Sequence, residues 1–252
     1  MNETTRARLM RVSTATLTTV LFKRGFHNTF LQNLRLVGGA SANMVGQAFT
    51  LRYIPAREDL DGISAFNDRA HPQRVAIEQC PAGQVLVMDS RGDPSAASSG
   101  GLLLTRLMKR GAAGVVTDGG FRDTPEIAAM NFAAYHQRPS APTNLIKHHA
   151  MDLQLPIACG GVAVYPGDVM VGDAEGVVCI PAHIADDVAA EAYEQTIYED
   201  WVAKRIDEGA GLFGVYPMTD SAERSAFVLW KQEKSAAYPL ATGPVTACVQ
   251  HD

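Results

Sequence analysis

Hydrophobic positions recur at helical spacing at both ends of the chain. Near the N-terminus, Ser13 or Thr14 can cap a short helix that stops at Gly25, and residues 183–209 form one long amphipathic pattern. The N-terminal apolar positions are Leu9, Val12, Leu17, Val20 and Leu21. We therefore predict short helices before the central part of the chain and one long helix after it.

The central part of the chain alternates between strand and helix patterns. Residues 83–89 and 113–118 are short apolar runs typical of buried strands, and residues 101–111 carry a leucine stripe at helical spacing. Ser98 or Ser99 is the predicted cap of this helix. A strand, helix and strand of these lengths form a crossover that joins parallel neighbours.

The other segments predict further strands and loops. Residues 46–54 alternate like a strand, and residues 157–181 predict three short strands separated by turns. The polar stretches 57–73 and 135–150 predict loops, the first with one helical turn at most. The expected class is therefore α/β, with a parallel βαβ unit and antiparallel hairpins. We expect one domain over residues 1–210, and a C-terminal extension over 211–252 that packs on that domain or on a neighbouring subunit.

The composition removes several functional classes. The chain has 252 residues and a net charge of −5, and it has no basic cluster, so nucleic-acid binding is not expected. No run approaches the roughly 18 apolar residues of a membrane span, and the first residues do not resemble a secretion signal. The four cysteines are scattered, which favours reduced thiols over a disulfide or zinc site. We expect a cytoplasmic protein.

Chemistry is most concentrated at residues 119–123, which read GGFRD directly after the second central strand. In a crossover, the helix start and the loop after the second strand both lie at the carboxyl edge of the sheet. The backbone N–H groups of Gly100 to Leu103 can therefore converge with Arg122 and Asp123. Helix amides and an arginine suit a carboxylate, and an aspartate suits Mg²⁺. The alternative interpretation is a structural cap or a solvated ion pair.

Residues 100–123 and 159–181 closely resemble the family that contains the regulators of ribonuclease activity A and the 4-hydroxy-4-methyl-2-oxoglutarate aldolases. The resemblance extends over about residues 10–210. It implies a swivelling β/β/α (RraA-like) sandwich that assembles as a homotrimer or homohexamer, with active sites near subunit boundaries. It also implies a pyruvate aldolase that depends on Mg²⁺ or Mn²⁺ and that can decarboxylate oxaloacetate.

The family motif is an acidic residue, twenty intervening residues and then Arg-Asp. It assigns Arg122 as the clamp for the substrate carboxylate, Asp123 as the metal ligand, and the amides of Leu102 and Leu103 as substrate-binding groups. Gly101 stands where the family usually has Asp or Glu, so this chain departs from the motif.

Other acids are candidates to replace the missing one. Asp93 and Asp118 lie close to the motif in sequence, and Glu199 is the candidate for the glutamate that the family receives from a neighbouring subunit. The adjacent His148 and His149 diverge on regular backbone, so we expect a surface or interface role for them. Neither Lys109 nor Lys147 has the apolar setting that a Schiff-base lysine needs.

The sequence therefore predicts a metal-dependent lyase that cleaves a 4-hydroxy-2-oxo acid to pyruvate and a second carbonyl compound. Mg²⁺ or Mn²⁺ would polarise the 2-oxo group. A dehydratase or hydrolase of a related 2-oxo sugar acid is the enzymatic alternative, and Gly101 keeps it open. A non-enzymatic regulator that binds a ribonuclease is the other alternative, which the intact Arg122–Asp123 pair disfavours.

Overall fold

The computed structural model describes residues 1–39 and 42–241. Its α-helices are α1 (Glu3–Leu9), α2 (Thr14–Lys23), α3 (Pro72–Gln79), α4 (Gly101–Lys109), α5 (Thr124–Ala128), α6 (Ala185–Asp207) and α7 (Ser221–Glu233). Short 3-10 helices are Ile63–Asn67, Asn144–Ile146, Ala182–Ile184 and Ser235–Ala237. The last part of the predicted extension, 242–252, lies outside the described residues and includes Cys248.

The strands fall into one large sheet and two small ones. The large sheet contains β1 (Arg35–Leu36), β2 (Met44–Pro55), β3 (Val85–Asp89), β5 (Gly114–Thr117), β7 (Ala134–His136), β9 (His148–Leu153), β12 (Val169–Gly172) and β13 (Val177–Ile180). The small sheets are formed by β4 (Ala97–Ser99), β6 (Gly120–Phe121) and β8 (Arg138–Pro139), and by β10 (Ile157–Cys159) and β11 (Val162–Val164).

Strand β2 connects the parallel and antiparallel parts of the large sheet. It is 12 residues long, so residues 44–47 pair with β12 while residues 51–55 pair with β9, both antiparallel. Its other edge pairs in parallel with β3, which pairs in parallel with β5, and β5 with β7. The structure therefore confirms the predicted α/β class with a parallel βαβ unit and antiparallel hairpins.

The central crossover forms as predicted, but its helix is capped differently. Helix α4 connects β3 to β5 and buries Leu104 and Leu107 against the sheet. The predicted caps Ser98 and Ser99 are wrong, because both belong to β4 and the N-cap is Gly100, which makes no side-chain capping bond. The strand assignment has a physical reason: β4 pairs with β6 and holds this segment extended up to the first turn of α4.

Residues 157–181 form four strands where the sequence predicts three. The difference arises at Gly160 and Gly161, which both have positive φ (56° and 76°) and form a tight turn between β10 and β11. Left-handed backbone of this kind is readily available to glycine. The remaining pair, β12 and β13, joins the large sheet.

The polar stretches also contain more regular structure than expected. The 3-10 helix Ile63–Asn67 matches the single helical turn predicted in residues 57–73, but α3 begins within that stretch. Strand β9 begins at His148, which is fully buried, so the surface or interface role predicted for His148 is wrong. Packing against β2 explains the burial, because the His148 ring lies against Tyr53 of β2, with the ring centroids 5.5 Å apart.

Helices α1, α2 and α6 form a layer over the antiparallel end of the sheet. The predicted cap of α2 is confirmed, because the Ser13 side chain accepts a hydrogen bond from the Thr16 amide. The N-terminal stripe from Leu9 to Leu21 is fully buried in one cluster with α6 and with side chains of β12 and β13. The helical spacing of the apolar positions therefore identifies the buried face of this layer.

The described part of the C-terminal tail contains a helix that packs on α6. Phe227 of α7 is 2% exposed and contacts Tyr198, Trp201 and Trp230 through aromatic faces and edges. Val215 and Met218 join the same apolar cluster as the N-terminal helices. The division into a domain over 1–210 and an extension remains a prediction.

No helix of the described residues is both long enough and apolar enough to cross a membrane. Cys80, Cys159 and Cys179 are free and buried. Burial raises the pKa of the Cys80 thiol to about 12, which keeps it protonated near neutral pH.

We expect Phe227→Ala to lower the free energy of unfolding by about 3 kcal/mol or more, because it opens a cavity among three aromatic side chains. Leu229→Ala is the matched control, since Leu229 lies on the same helix and is 62% exposed. Urea unfolding followed by circular dichroism measures both. Equal, small effects of the two substitutions would show that α7 is not part of the cooperative core.

Candidate active site

A small parallel sheet brings the two halves of the predicted site together. Strand β4 leads directly into α4, and β6 leads directly to Arg122. The two strands pair in parallel, with Ser99 opposite Phe121, and the Arg122 amide donates to the Ser99 carbonyl at 3.1 Å. The start of α4 and the Arg122–Asp123 pair therefore lie side by side, as predicted from the crossover.

Asp123 is held in place by the start of α4. Its Oδ2 accepts a hydrogen bond from the Gly101 amide at 3.0 Å, and its own backbone is left-handed, with φ 59° and ψ 37°. Aspartate tolerates this conformation better than most residues. The turn directs the carboxylate back toward the helix amides, where the partial positive charge of the helix N-terminus favours an anion.

The first backbone amides of α4 differ in their hydrogen-bond partners. The Gly101 N–H serves Asp123, and the Leu103 N–H bonds to the Gly100 carbonyl at 3.1 Å. The Leu102 N–H has no hydrogen-bond partner within residues 1–39 and 42–241. Of the predicted substrate-binding amides, Leu102 therefore offers the donor that is open to a ligand in this structure.

Arg122 is next to Asp123 and is half exposed. The Arg122 Nε lies 3.5 Å from Asp123 Oδ1, and the two side chains are 48% and 39% exposed. An ion pair this long and this solvated contributes little to stability. The guanidinium is thus free to bind a carboxylate through its remaining N–H groups.

The glycines at the start of α4 explain the close approach. A Cβ at Gly100 would lie 2.7 Å from Arg122 Cγ and 2.8 Å from Asp123 Oδ2, which no real side chain tolerates. At Gly101 a Cβ would lie 3.2 Å from Asp123 Cβ. An acidic side chain at position 101 would therefore stand directly beside Asp123, whose carboxylate is the only one that the described residues place in the cleft wall.

These residues line a cleft of about 200 Å³. Its wall is formed by Phe66, Gln73, Arg74, Ala97, Ser99, Gly100, Leu102, Leu103, Arg122, Asp123, Thr143 and Asn144. A larger, shallower depression of about 380 Å³ shares Phe66 and Arg74 with the cleft but contains neither Arg122 nor Asp123. The smaller cleft is the candidate active site, because it holds the groups that can do chemistry.

The wall includes residues that the sequence analysis did not single out. Gln73 and Arg74 come from α3, and Thr143 and Asn144 come from the loop before β9. The Arg74 guanidinium stacks on Phe66, 4.4 Å from the ring centroid. The sequence predicts only loops at 57–73 and 135–150 for three of these residues, and it gives no signal for Arg74.

The candidate replacements for the missing acid lie elsewhere. Asp118 is buried and accepts from the amides of Ser90 and Gly92 at 2.6 and 2.9 Å. Burial raises the pKa of its carboxyl to about 6. Asp93 accepts from the Ser95 amide at 2.9 Å, so both acids stabilise loops and neither lines the cleft.

Glu199 lies on α6, in the helical layer. Its two carboxylate oxygens accept from Thr16 Oγ1 at 2.8 Å and from Gln195 Nε2 at 3.0 Å. Within one chain it is therefore not part of the cleft. Its predicted contribution from a neighbouring subunit stays a prediction.

The potential ligands at the cleft fit a metal site that water and substrate complete, and they do not fit a site formed by protein side chains alone. No group of three His, Cys, Asp or Glu side chains able to hold a metal occurs in the described part of the chain, so an all-protein cage does not fit. Asp123 keeps acceptor capacity beyond its bond from Gly101, and it is 39% exposed. Mg²⁺ is commonly held by one or two carboxylates and completed by water and substrate. The residues present fit that arrangement.

Known proteins resemble this chain in sequence and in fold. The family model described as "RraA-like: Aldolase/RraA" matches residues 14–179. A 4-hydroxy-4-methyl-2-oxoglutarate aldolase of Thermus thermophilus is 30% identical over 143 residues, which is 57% of this chain and 79% of that protein. A Halalkalibacterium halodurans relative that carries the same aldolase name provisionally is 35% identical over 117 residues, or 46% of this chain. This match spans only about half of the relative's length, 55%.

Solved structures share the fold. An uncharacterized protein from Pseudomonas syringae superposes with a TM-score of 0.73 at 22% identity, covering 86% of this chain and 98% of that one. Streptomyces coelicolor RraAS2, described as an unusual member of the RNase ES inhibitor RraA family, superposes with a TM-score of 0.69 at 25% identity. That match covers 80% of this chain and 96% of RraAS2. Because the family model matches well over half of the chain, through both strands of the crossover and the Arg122–Asp123 pair, this chain belongs to the RraA-like (Aldolase/RraA) family.

Proposed function

We infer that this protein is a divalent-metal-dependent lyase that cleaves a 4-hydroxy-2-oxo acid into pyruvate and a second carbonyl compound. The observation that carries the proposal is the hydrogen bond from the Gly101 amide to Asp123, which holds a carboxylate and the Arg122 guanidinium together at a helix start. The aldolase names of the relatives support the same reaction class.

Each group has a role in the proposed reaction. Arg122 binds the substrate carboxylate, and the Leu102 amide is the open donor for an oxygen of the same 2-oxo acid. Asp123 would hold Mg²⁺ or Mn²⁺. The chemistry supplied by a bound ion is polarisation of the 2-oxo group, which favours the negative charge that develops there.

The bond changes are those of a retro-aldol cleavage. The 4-hydroxyl loses its proton, the C3–C4 bond breaks, and C4 becomes the carbonyl of the second product. The electron pair of that bond moves toward the 2-oxo oxygen, and C3 then takes a proton to give pyruvate. Loss of CO₂ from oxaloacetate generates the same charge distribution, so oxaloacetate decarboxylation is a proposed side activity.

Among residues 1–39 and 42–241, no second acid lines the cleft to act as the base for the 4-hydroxyl. We propose that a homotrimer or homohexamer completes the site, with Glu199 of a neighbouring copy as the candidate. Exposed apolar side chains support a subunit contact there. Leu102 lines the cleft and is 88% exposed, and Ile63, on the 3-10 helix that carries the cleft residue Phe66, is 76% exposed.

Two alternatives remain as proposals of lower rank. Gly101 leaves the site one carboxylate short of the family motif, which favours a related dehydration or hydrolysis of a 2-oxo sugar acid if cleavage fails. The likeness to a protein described as a ribonuclease-inhibitor family member supports a regulator that binds a ribonuclease. The presence of Arg122 and Asp123 together in the wall of one cleft, both partly exposed, favours the enzyme.

We expect Asp123→Asn to lower kcat/KM for pyruvate release at least about a hundredfold, because removal of one electrostatic group at an active site commonly costs that much. Asparagine also accepts left-handed backbone, so the fold should be retained. Lactate dehydrogenase-coupled detection of pyruvate measures the loss, and Asp93→Asn outside the cleft is the control. Full activity of the Asp123 variant would remove this residue from the mechanism.

We expect Arg122→Lys to raise KM for the acid about tenfold or more while leaving the melting temperature unchanged. Lysine keeps the charge but lacks the planar fork that binds a carboxylate through two parallel bonds. The matched control is Arg106→Lys, because Arg106 on the surface of α4 is also exposed and forms an ion pair, with Glu78 of α3. An unaltered KM in the Arg122 variant would contradict the clamp.

We expect a chelator to abolish turnover and added Mg²⁺ or Mn²⁺ to restore it, since the metal carries the polarisation of the 2-oxo group. Borohydride in the presence of pyruvate should leave the activity intact, because no Schiff base forms. The two treatments are compared in the same coupled assay. Inactivation by borohydride together with resistance to the chelator would reverse the assignment of aldolase class.

A further inference from the structure

Two buried oxygens in the cleft wall have no hydrogen-bond partner in the part of the chain that the structure describes. They are Gln73 Oε1 and Ser99 Oγ, on residues that are 2% and 4% exposed, and neither bonds to any of residues 1–39 and 42–241. Both residues line the same cleft as Arg122 and Asp123. Buried polar atoms are nearly always bonded, so an unpaired pair beside a candidate active site indicates a missing ligand group.

The orientation of the Gln73 amide is fixed by its surroundings. Its Nε2 donates to the Ser98 carbonyl at 2.8 Å, and the Tyr53 hydroxyl donates to the same carbonyl at 2.9 Å. A flipped amide would set two oxygens against each other, so Oε1 is the atom left without a donor. What Gln73 needs is an O–H or N–H group from outside the protein.

Ser99 lies next to the carboxylate-binding end of the cleft. Its carbonyl accepts from the Arg122 amide at 3.1 Å, and the next residue, Gly100, lies against the side chains of Arg122 and Asp123. A ligand whose carboxylate is bound by Arg122 therefore has Ser99 within its own length. The remaining wall offers further polar side chains, namely Arg74, Thr143 and Asn144.

We propose that Gln73 and Ser99 bind hydroxyl groups on the part of the substrate beyond the cleaved bond. The substrate class is then a polyhydroxylated, sugar-derived 4-hydroxy-2-oxo acid, whose O–H groups donate to Gln73 Oε1 and Ser99 Oγ. This inference rests on the proposed function. An alkyl tail in the same place would leave both oxygens buried and unpaired. A site built to bind a hydroxyl group therefore rejects an analogue that lacks this group.

The test uses two acids with the same carboxylate, 2-oxo group and 4-hydroxyl: 4,5,6-trihydroxy-2-oxohexanoate and 4-hydroxy-2-oxohexanoate, with each stereoisomer assayed separately. Pyruvate release with Mg²⁺ gives kcat/KM, and calorimetric titration gives Kd independently of cleavage. We expect the best trihydroxy isomer to be favoured by at least about tenfold in both, the factor that corresponds to one unpaired buried oxygen.

Gln73→Leu and Ser99→Ala should each reduce that preference several-fold by acting on the trihydroxy acid alone. The matched controls are Gln84→Leu and Ser95→Ala, because Gln84 and Ser95 also carry buried oxygens without a partner in the described chain but do not line the cleft. Circular dichroism checks folding. Ser99→Ala removes a single atom and keeps the test valid if Gln73→Leu is unstable.

The outcomes separate this inference from the proposed function. Pyruvate release from both acids with equal efficiency, or a preference that survives both variants, overturns the inference while the lyase stands. No pyruvate from either acid, with a calorimetric preference that the variants remove, overturns the lyase and supports the inference. If neither acid is cleaved and neither binds, the lyase and the inference are both overturned. Ordered water then fills the positions beside Gln73 Oε1 and Ser99 Oγ.

Discussion

The geometry of the cleft depends on the hydrogen bond from the Gly101 amide to the Asp123 carboxylate. Left-handed backbone at a residue other than glycine costs about 1–3 kcal/mol. A hydrogen bond to a charged group contributes about 1.5–3 kcal/mol, less where water reaches it. The two magnitudes are similar, so the bond and the partial charge of the α4 N-terminus can hold Asp123 in the turn that aims its carboxylate at the helix.

That interaction in turn requires the small sheet beneath it. The Arg122 amide bonds to the Ser99 carbonyl, and β4 and β6 run in parallel, so the two chain segments leave the sheet in the same direction. Glycine at position 100 then lets the Arg122 side chain cross the backbone at a distance that a Cβ would block. The spacing of the backbone, rather than a network of side-chain hydrogen bonds, fixes the positions of the Arg122 and Asp123 side chains.

The sequence predicts those parts of the structure that are encoded locally. The capping serine of α2, the leucines of α4 and the apolar strands β3 and β5 follow from spacing and composition, and the crossover rule then brings Arg122 and Asp123 to the start of α4. The fold class and the core of the site were therefore predictable. The crossover and the Arg122–Asp123 pair lie within residues 83–123, and the antiparallel hairpins are predicted from residues 157–181.

The features that sequence reasoning missed depend on partners far away in the chain. Strand β9 reads as polar, and His148 is buried only because β2 is long enough to pair with it. Ser99 reads as a helix cap, yet pairing with β6 makes it the end of a strand. In the sequence, Gln73 is an ordinary helical glutamine. Its amide nitrogen donates to the Ser98 carbonyl in the folded chain, and this contact leaves Gln73 Oε1 without a donor.

Gly101 connects the chemistry of the site to its specificity. An acid at this position would stand beside Asp123. Repulsion between the two charges would raise the free-energy cost of burying a second carboxylate, whereas the added negative charge would strengthen metal binding. Without it, Asp123 is the single carboxylate that lines the cleft among the described residues, so an ion bound there would depend on water and on the oxygens of the substrate for its remaining ligands. Metal affinity and substrate affinity should therefore depend on each other more strongly here than in relatives that keep the acid, and by linkage each must raise the other by the same factor.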